Sequence, residues 1–136
     1  DPDVQEDVAV LSLHMGSRKE NALMVNALQR CSTVVVQNSL REGFGLTATE
    51  AMWKGIAVLG TRATGLRQQI RTGIDGVLVR DPEDPQEIAT RLQDLLSNVD
   101  KRDAMRKSAQ IRVKNEFLVF TQIRDWLRTI ADTAWA

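Results

Sequence analysis

The chain has 136 residues, 43% hydrophobic and 26% charged, the balance of one ordinary globular domain long enough to bury a sizeable core. Its 18 Lys and Arg against 18 Asp and Glu leave no charge excess to draw nucleic acid or an anionic membrane, and no apolar run approaches the ~18 residues of a membrane span. A single cysteine excludes an internal disulfide, one histidine beside one cysteine falls short of an ordinary zinc site, and the acidic start Asp1-Pro2-Asp3-Val4-Gln5-Glu6-Asp7 is the opposite of a signal peptide, so a cytoplasmic location is expected.

Short apolar runs and helical patterns alternate through the first half. Val8-Ala9-Val10-Leu11 is the first run and is expected as a strand. A helix over 18–30 follows, then the clearest strand, Thr33-Val34-Val35-Val36-Gln37. Next come a helix over 46–54, a strand at Ala57-Val58-Leu59-Gly60, a short helix over 66–71 and a strand at Gly76-Val77-Leu78-Val79. The runs are continuously apolar rather than alternating, as strands buried on both faces are. Strand-helix-strand repetition implies an α/β fold with a parallel sheet and right-handed crossovers. The second half reads as helical. Asp84 suits an N-cap, Pro85 the first helical position, and Glu87 the reciprocal place in a capping box. Ile88, Leu92, Leu95 and Leu96 then make one apolar face. Asp100, with Asp103 three residues on, is expected to start another helix whose buried stripe is Met105, Ala109 and Val113. A last helix gathers Phe120, Ile123, Leu127, Ile130 and Ala134 on one side. No linker rich in Gly, Pro or Ser divides these parts, so residues 1–136 are read as one domain.

The segment with chemical potential is 41–55, which follows the clearest strand and opens a helix. Ligands of parallel α/β sheets bind beyond the C-terminal ends of strands. Gly43 and Gly45, on either side of Phe44, let the backbone approach a ligand and take positive φ. The N–H groups of Leu46 and Thr47 would stand free at a helix start, where partial positive charge favours phosphate or sugar hydroxyls. Glu42 and Glu50 are eight residues apart, and with a loop between them both carboxylates can face one elongated ligand. An ionised carboxylate only accepts hydrogen bonds, so it suits the paired hydroxyls of a sugar or ribose. By residue type alone, the same glutamates would serve equally as solvated surface groups. Trp53 is read as a packing residue of the helix.

Glu42-Gly43-Phe44-Gly45-Leu46-Thr47-Ala48-Thr49-Glu50-Ala51 resembles the E-x7-E signature of retaining, nucleotide-sugar-dependent glycosyltransferases of the GT-B fold, the large family four. Gly55-Ile56-Ala57-Val58-Leu59-Gly60 looks like that family's following G-x-P-V strand, with Ala57 for the proline. Gly73-Ile74-Asp75-Gly76-Val77-Leu78-Val79 looks like its glycine-flanked strand, and Met105 to Phe117 resembles its penultimate helix. The likeness covers nearly the whole chain. It is nearest to the trehalose-forming members at 25–32, 39–46 and 50–55, and in the spacing from Gly65 through Gln69-Ile70 to Gly73.

The resemblance implies a partial, Rossmann-like donor domain, the C-terminal domain of a GT-B enzyme, with a helical C-terminus. Glu42 would lie by the donor sugar in a catalytic or positioning role. Gly43, Phe44 and Gly45 would meet sugar hydroxyls and the diphosphate through backbone amides, Leu46 and Thr47 would form the helix start, and Glu50 would take the ribose hydroxyls. The donor would be a nucleoside-diphosphate glucose and the acceptor a sugar, glucose where trehalose is formed. No cofactor or metal is expected where protein donors neutralise the phosphates. The acceptor would be met by an N-terminal domain that this chain does not contain. Two other readings stand beside this one: a noncatalytic nucleotide-binding or assembly module, and a family relative with a different acceptor.

The sequence departs from the family pattern in three respects. No Arg and Lys pair to grip the diphosphate is found before Val8; Arg41, Arg62 and Arg67 are read as surface arginines. Thr64 stands where the family often has the first glycine of a pair, which brings tight backbone contact there into question. Of the doubly wound order 3-2-1-4-5-6, the chain is expected to hold strands 3 to 6. Its exposed edges would then bring the first two strands together or pair copies of the chain into a homo-oligomer. His14 is read as a loop residue, Cys31 as a small core residue, and the arginines from Arg91 through Arg112 with Arg128 as solvated helix faces.

Overall fold

A computed structural model describes residues 2–13 and 15–134, with side chains from Val4 onward; the expectation for His14 lies outside the described residues. The elements in chain order are α1 (Pro2–Asp7), α2 (Arg18–Cys31), β1 (Val34–Gln37), α3 (Leu46–Trp53), β2 (Ala57–Thr61), α4 (Thr64–Gln69), β3 (Val77–Val79), α5 (Pro85–Ser97), α6 (Val99–Glu116) and α7 (Val119–Ala134). The three strands form one parallel sheet in the order β1-β2-β3, with Val34 opposite Ala57 and Leu59 opposite Val77. The expected α/β class with a parallel sheet is therefore what forms.

Strand β2 is buried at all five positions, which is why its apolar run does not alternate. On one face of the sheet, Val58 and Leu78 pack with Ala48, Ala51 and Met52 of α3, Leu66 of α4, and Ala109 and Val113 of α6. On the other, Leu59, Val77 and Val79 pack with Leu95 of α5 and Met105 of α6. Each fully buried Leu, Val or Met adds roughly 1.5–3 kcal/mol relative to exposure, so this layer holds the three strand ends in place. The small residues Ala48 and Ala51 let α3 lie close to the sheet, and α3 carries the Glu42–Glu50 segment's second half.

Several expectations need correction. Val8-Ala9-Val10-Leu11 is not a strand: it has no partner among the described strands, and Val10 is 93% exposed. An apolar run becomes a strand only where another edge satisfies its backbone, so among the described residues the sheet has three strands, not four, and the first two predicted runs do not pair. Glu87 does not close a capping box on Asp84. Asp84 does cap α5, accepting from Gln86 and Glu87 N–H at 2.9 and 3.2 Å, but the Glu87 carboxylate turns to the N–H groups of Arg80 and Asp81. The N-cap of α6 is Asn98, accepting from Lys101 N–H, rather than Asp100. Helix α4 begins at Thr64, two residues before the expected Leu66. Cys31 ends α2 exposed, because Gln29 is that helix's buried residue. The apolar side of α7 meets no core, and Phe120, Ile123, Leu127 and Ile130 are all exposed.

Candidate functional site

The C-terminal ends of β1, β2 and β3 lie on one side of the sheet, and the loops that leave them are stitched together. Thr61, ending β2, donates its hydroxyl to the Ser39 carbonyl at 2.5 Å, and the Asn38 amide donates to the Pro82 carbonyl at 2.9 Å. From this end the 38–45 loop runs to α3.

Gly45 is the N-cap of α3 and takes the left-handed conformation, φ 89° and ψ 57°. A side chain there would be strained, and its Cβ would lie 2.7 Å from Leu66 Cδ2. Gly43 is different from what was expected: its φ is not positive and a Cβ on it would meet nothing within 4 Å. The glycine that permits close approach is Gly65, near the start of α4. Its missing Cβ would sit 2.6 Å from the Gly43 carbonyl oxygen, and its N–H donates to the Glu42 carbonyl at 2.9 Å. Thr64 in place of a glycine is thus tolerated, because the tight contact falls on the second residue of the pair.

Two glutamines clamp the loop, and sequence reading missed both roles. Gln37, ending β1, donates from Nε2 to Glu42 Oε2 at 2.7 Å and accepts from the Ala48 N–H at 3.0 Å. Gln69, fully buried at the end of α4, donates to the Phe44 carbonyl. The only sequence signal for Gln69 was its place in the Gly65–Gly73 spacing. The Phe44 ring meets Phe117 edge-on at 6.1 Å, and the Arg112 guanidinium lies 5.5 Å above the Phe117 ring.

Arg112 is not a solvated face residue. It donates to the Gln68 and Gln69 carbonyls at 2.8 and 2.7 Å and approaches the fully buried Asp75 at 3.4 Å. Burial is the largest single influence on the Asp75 carboxyl and opposes its ionisation. The hydrogen bonds from the Arg71 side chain and backbone, with the charges of Arg71 and Arg112, outweigh it together and hold the carboxyl below the usual aspartate range. Ser108 adds a 3.3 Å bond to the same carboxylate. This cluster anchors α6 to the end of α4, and through Gln69 to Phe44. Arg102 and Arg106 likewise bond main-chain carbonyls, of Leu95 and Leu96 and of Gly55.

Glu42 is half-buried and lines an open hollow of about 610 Å³ formed by residues 40–43 and 62–64. Arg41 and Arg62 contribute two cations to it, and its size falls in the usual range for ligand clefts. Leu46 and Thr47 open α3 as expected, and their N–H groups have no partner among the described residues. Glu50, 52% exposed, lies 3.8 Å from Lys54, which also bonds Gln29. It borders other hollows, one with Asn21, Asn26 and Lys54 and one with Phe44, Leu46 and Trp53. The structure therefore gathers Glu42 and Gly43 at one hollow, carries Phe44 and Leu46 with Glu50 at another, and does not bring the two carboxylates into one. Trp53 is 45% exposed at the rim of the second.

The family model described as "Glycosyl transferases group 1" matches residues 12–112. Trehalose synthase of Thermococcus litoralis is 42% identical over 107 residues, covering 79% of this chain and 25% of that protein. The C-terminal domain of a glycosyl transferase group 1 family protein (LpcC) from Francisella tularensis superposes with a TM-score of 0.68 at 28% identity, covering 80% of this chain and 53% of that one. Anabaena Alr3699/HepE, solved in complex with UDP-glucose, superposes with a TM-score of 0.72 at 25% identity, covering 79% of this chain and 30% of that one. The chain spans about a quarter of the length of the trehalose synthases it matches.

Proposed function

The chain belongs to the glycosyl transferases group 1 family, and from that premise we propose that it is the donor-binding part of a retaining glycosyltransferase using a nucleoside-diphosphate glucose. Glu42 orients the donor sugar through its hydroxyls over the hollow it lines. The amides of Gly43 to Thr47 receive sugar hydroxyls and the diphosphate, and Glu50, one helical turn beyond the start of α3, holds the ribose. A donor lying across the start of α3 would reach from the Glu42 hollow to the Glu50 side, so separate hollows are compatible with one extended ligand. The single observation that carries this reading is the clamped loop: α4 bonds its Glu42 and Phe44 carbonyls through the Gly65 N–H and the Gln69 amide, Gln37 of β1 holds the Ala48 N–H, and Leu46 and Thr47 keep open N–H groups at a helix start.

The reaction is attack by an acceptor hydroxyl on the donor anomeric carbon, on the face the nucleotide leaves. The chain's contribution is orientation and stabilisation of charge on the departing diphosphate, the two largest generic sources of rate. The likeness to a trehalose synthase and to a UDP-glucose complex favours a glucosyl donor and, for the whole protein, glucose as acceptor. The acceptor is met by a part of the protein beyond this chain. Titration with ADP, UDP and GDP, each free and glucose-linked, tests this. A gain in affinity from the attached glucose supports it; equal affinity with and without glucose contradicts it.

A second reading, a nucleotide-binding or assembly module without transferase activity, is favoured by one observation: Glu42 and Glu50 line separate hollows. Binding of free nucleotide with no response to glucose selects that reading.

A further inference from the structure

Gln37 is the last residue of β1 and is held in register opposite Gly60 of the fully buried β2. Its amide uses both ends. Nε2 donates to Glu42 Oε2 at 2.7 Å, with Ser39 Oγ at 3.5 Å, and Oε1 accepts from the Ala48 N–H at 3.0 Å. Gly45 offers no side chain to cap α3, so Gln37 supplies the cap from eleven residues upstream. One planar group thereby ties the Glu42 carboxylate to the start of the helix.

We infer that Gln37 is the positioning residue of Glu42, fixing which carboxylate oxygen is left to face the hollow and which N–H groups of α3 are left for a ligand. The assignment rests on the donor-site reading above. Glu42 Oε2 is committed to Gln37, and Oε1 has no partner among the described residues. The Ala48 N–H is likewise committed, and those of Leu46 and Thr47 are not. A glutamate side chain turns about three bonds and would otherwise sample several orientations; a charge-assisted bond to a strand-end amide selects one of them. Only a group with a donor and an acceptor on one rigid plane can serve both partners, which an aliphatic side chain or a carboxylate cannot do.

Two substitutions separate positioning from plain helix capping. Gln37→Glu keeps the length and the acceptor for Ala48 but replaces the donor with a carboxylate facing Glu42. Gln37→Met removes both bonds. In calorimetric titrations of the full chain with UDP and UDP-glucose, Gln37→Glu is expected to lose about tenfold of the glucose-dependent gain, read as the ratio of the two affinities. Gln37→Met loses that gain as well. Retention of the whole gain in Gln37→Glu overturns the proposal and leaves Gln37 a helix cap. A second measurement needs no ligand. In nuclear magnetic resonance spectra of the full chain, the Gln37 side-chain amide is expected to shift on Glu42→Ala and not on Glu50→Ala. An unmoved Gln37 amide in Glu42→Ala overturns the proposal whatever the titrations give. Wild-type chain showing no glucose-dependent gain would refute the donor-site reading, and the amide resonance would then decide the positioning role by itself.

Discussion

Replacing Gly65 by alanine tests whether the loop and α4 are in the contact described. The added Cβ would lie 2.6 Å from the Gly43 carbonyl oxygen and 2.7 Å from Gly43 C and Phe44 Cα, all backbone atoms that no rotamer change can move. To reach ordinary contact, loop and helix must separate by about 0.8 Å. That stretches the 2.9 Å bond from the Gly65 N–H to the Glu42 carbonyl beyond hydrogen-bond range. Loss of the bond costs about 1 kcal/mol and the overpacking about 1–3 kcal/mol, while alanine in a helix returns up to about 1 kcal/mol. The net loss is about 1–4 kcal/mol, or about 4–16 °C in melting temperature for a chain of this size. The paired control is Gly43→Ala, whose Cβ meets nothing within 4 Å and whose φ is not positive. It is expected to stay within about 0.5 kcal/mol of wild type. Thermal unfolding followed by circular dichroism reads both. A Gly65→Ala variant melting at or above the wild-type temperature would refute the contact, and with it the geometry of the loop.

Gly45→Ala, at φ 89°, should lose about 1–3 kcal/mol in urea unfolding from backbone strain and the clash with Leu66. Asp75→Asn should lose about 1–2 kcal/mol, since the Arg71 end of its ion pair is half-exposed and screened while the Arg112 end is not. Because the Asp75 carboxyl is held below its ordinary value, its contribution is fully present above about pH 4 and fades as pH falls through the lower folded-state value; the stability of Asp75→Asn should therefore fall less steeply than wild type in that acid window. Trp126→Ala and Leu127→Ala on α7 should change unfolding free energy by less than about 0.5 kcal/mol, because neither side chain reaches this chain's core. Glu42→Gln should weaken UDP-glucose binding more than UDP binding, and Glu50→Gln should weaken both alike, as isothermal titration would read.

What the sequence made legible divides along physical lines. β1, β2, β3, α3 and α5 announce themselves locally, through apolar runs, a glycine turn before Leu46, and an Asp84-Pro85 helix start whose cap forms as expected. The stripe Met105, Ala109, Val113 is buried as its spacing requires. Val8 to Leu11 misled because strand propensity needs a neighbouring edge, and pairing is not a local property. Asn98 starts α6 two residues before Asp100 because its side chain accepts from the Lys101 N–H. The residues that hold the loop were the least legible. Gln37 and Gln69 act over 5 to 25 residues of separation through amides that look like ordinary polar side chains in a sequence. Arg112 reads as a surface charge because α6 is dense in charged residues, yet its partners include main-chain carbonyls at the end of α4 and the buried Asp75. Glycines were legible as a class but not by role: Gly45 needs its positive φ, Gly65 its missing Cβ, and Gly43 needs neither.

In the proposed function, the clamped loop and the first turn of α3 receive an activated sugar. Amide shift mapping of the chain titrated with UDP-glucose tests it directly. Shifts are expected to concentrate in residues 42–50 and 62–65. Shifts concentrated instead around the cationic hollow of Lys54, Arg106 and Lys107, with the loop amides unmoved, would contradict it.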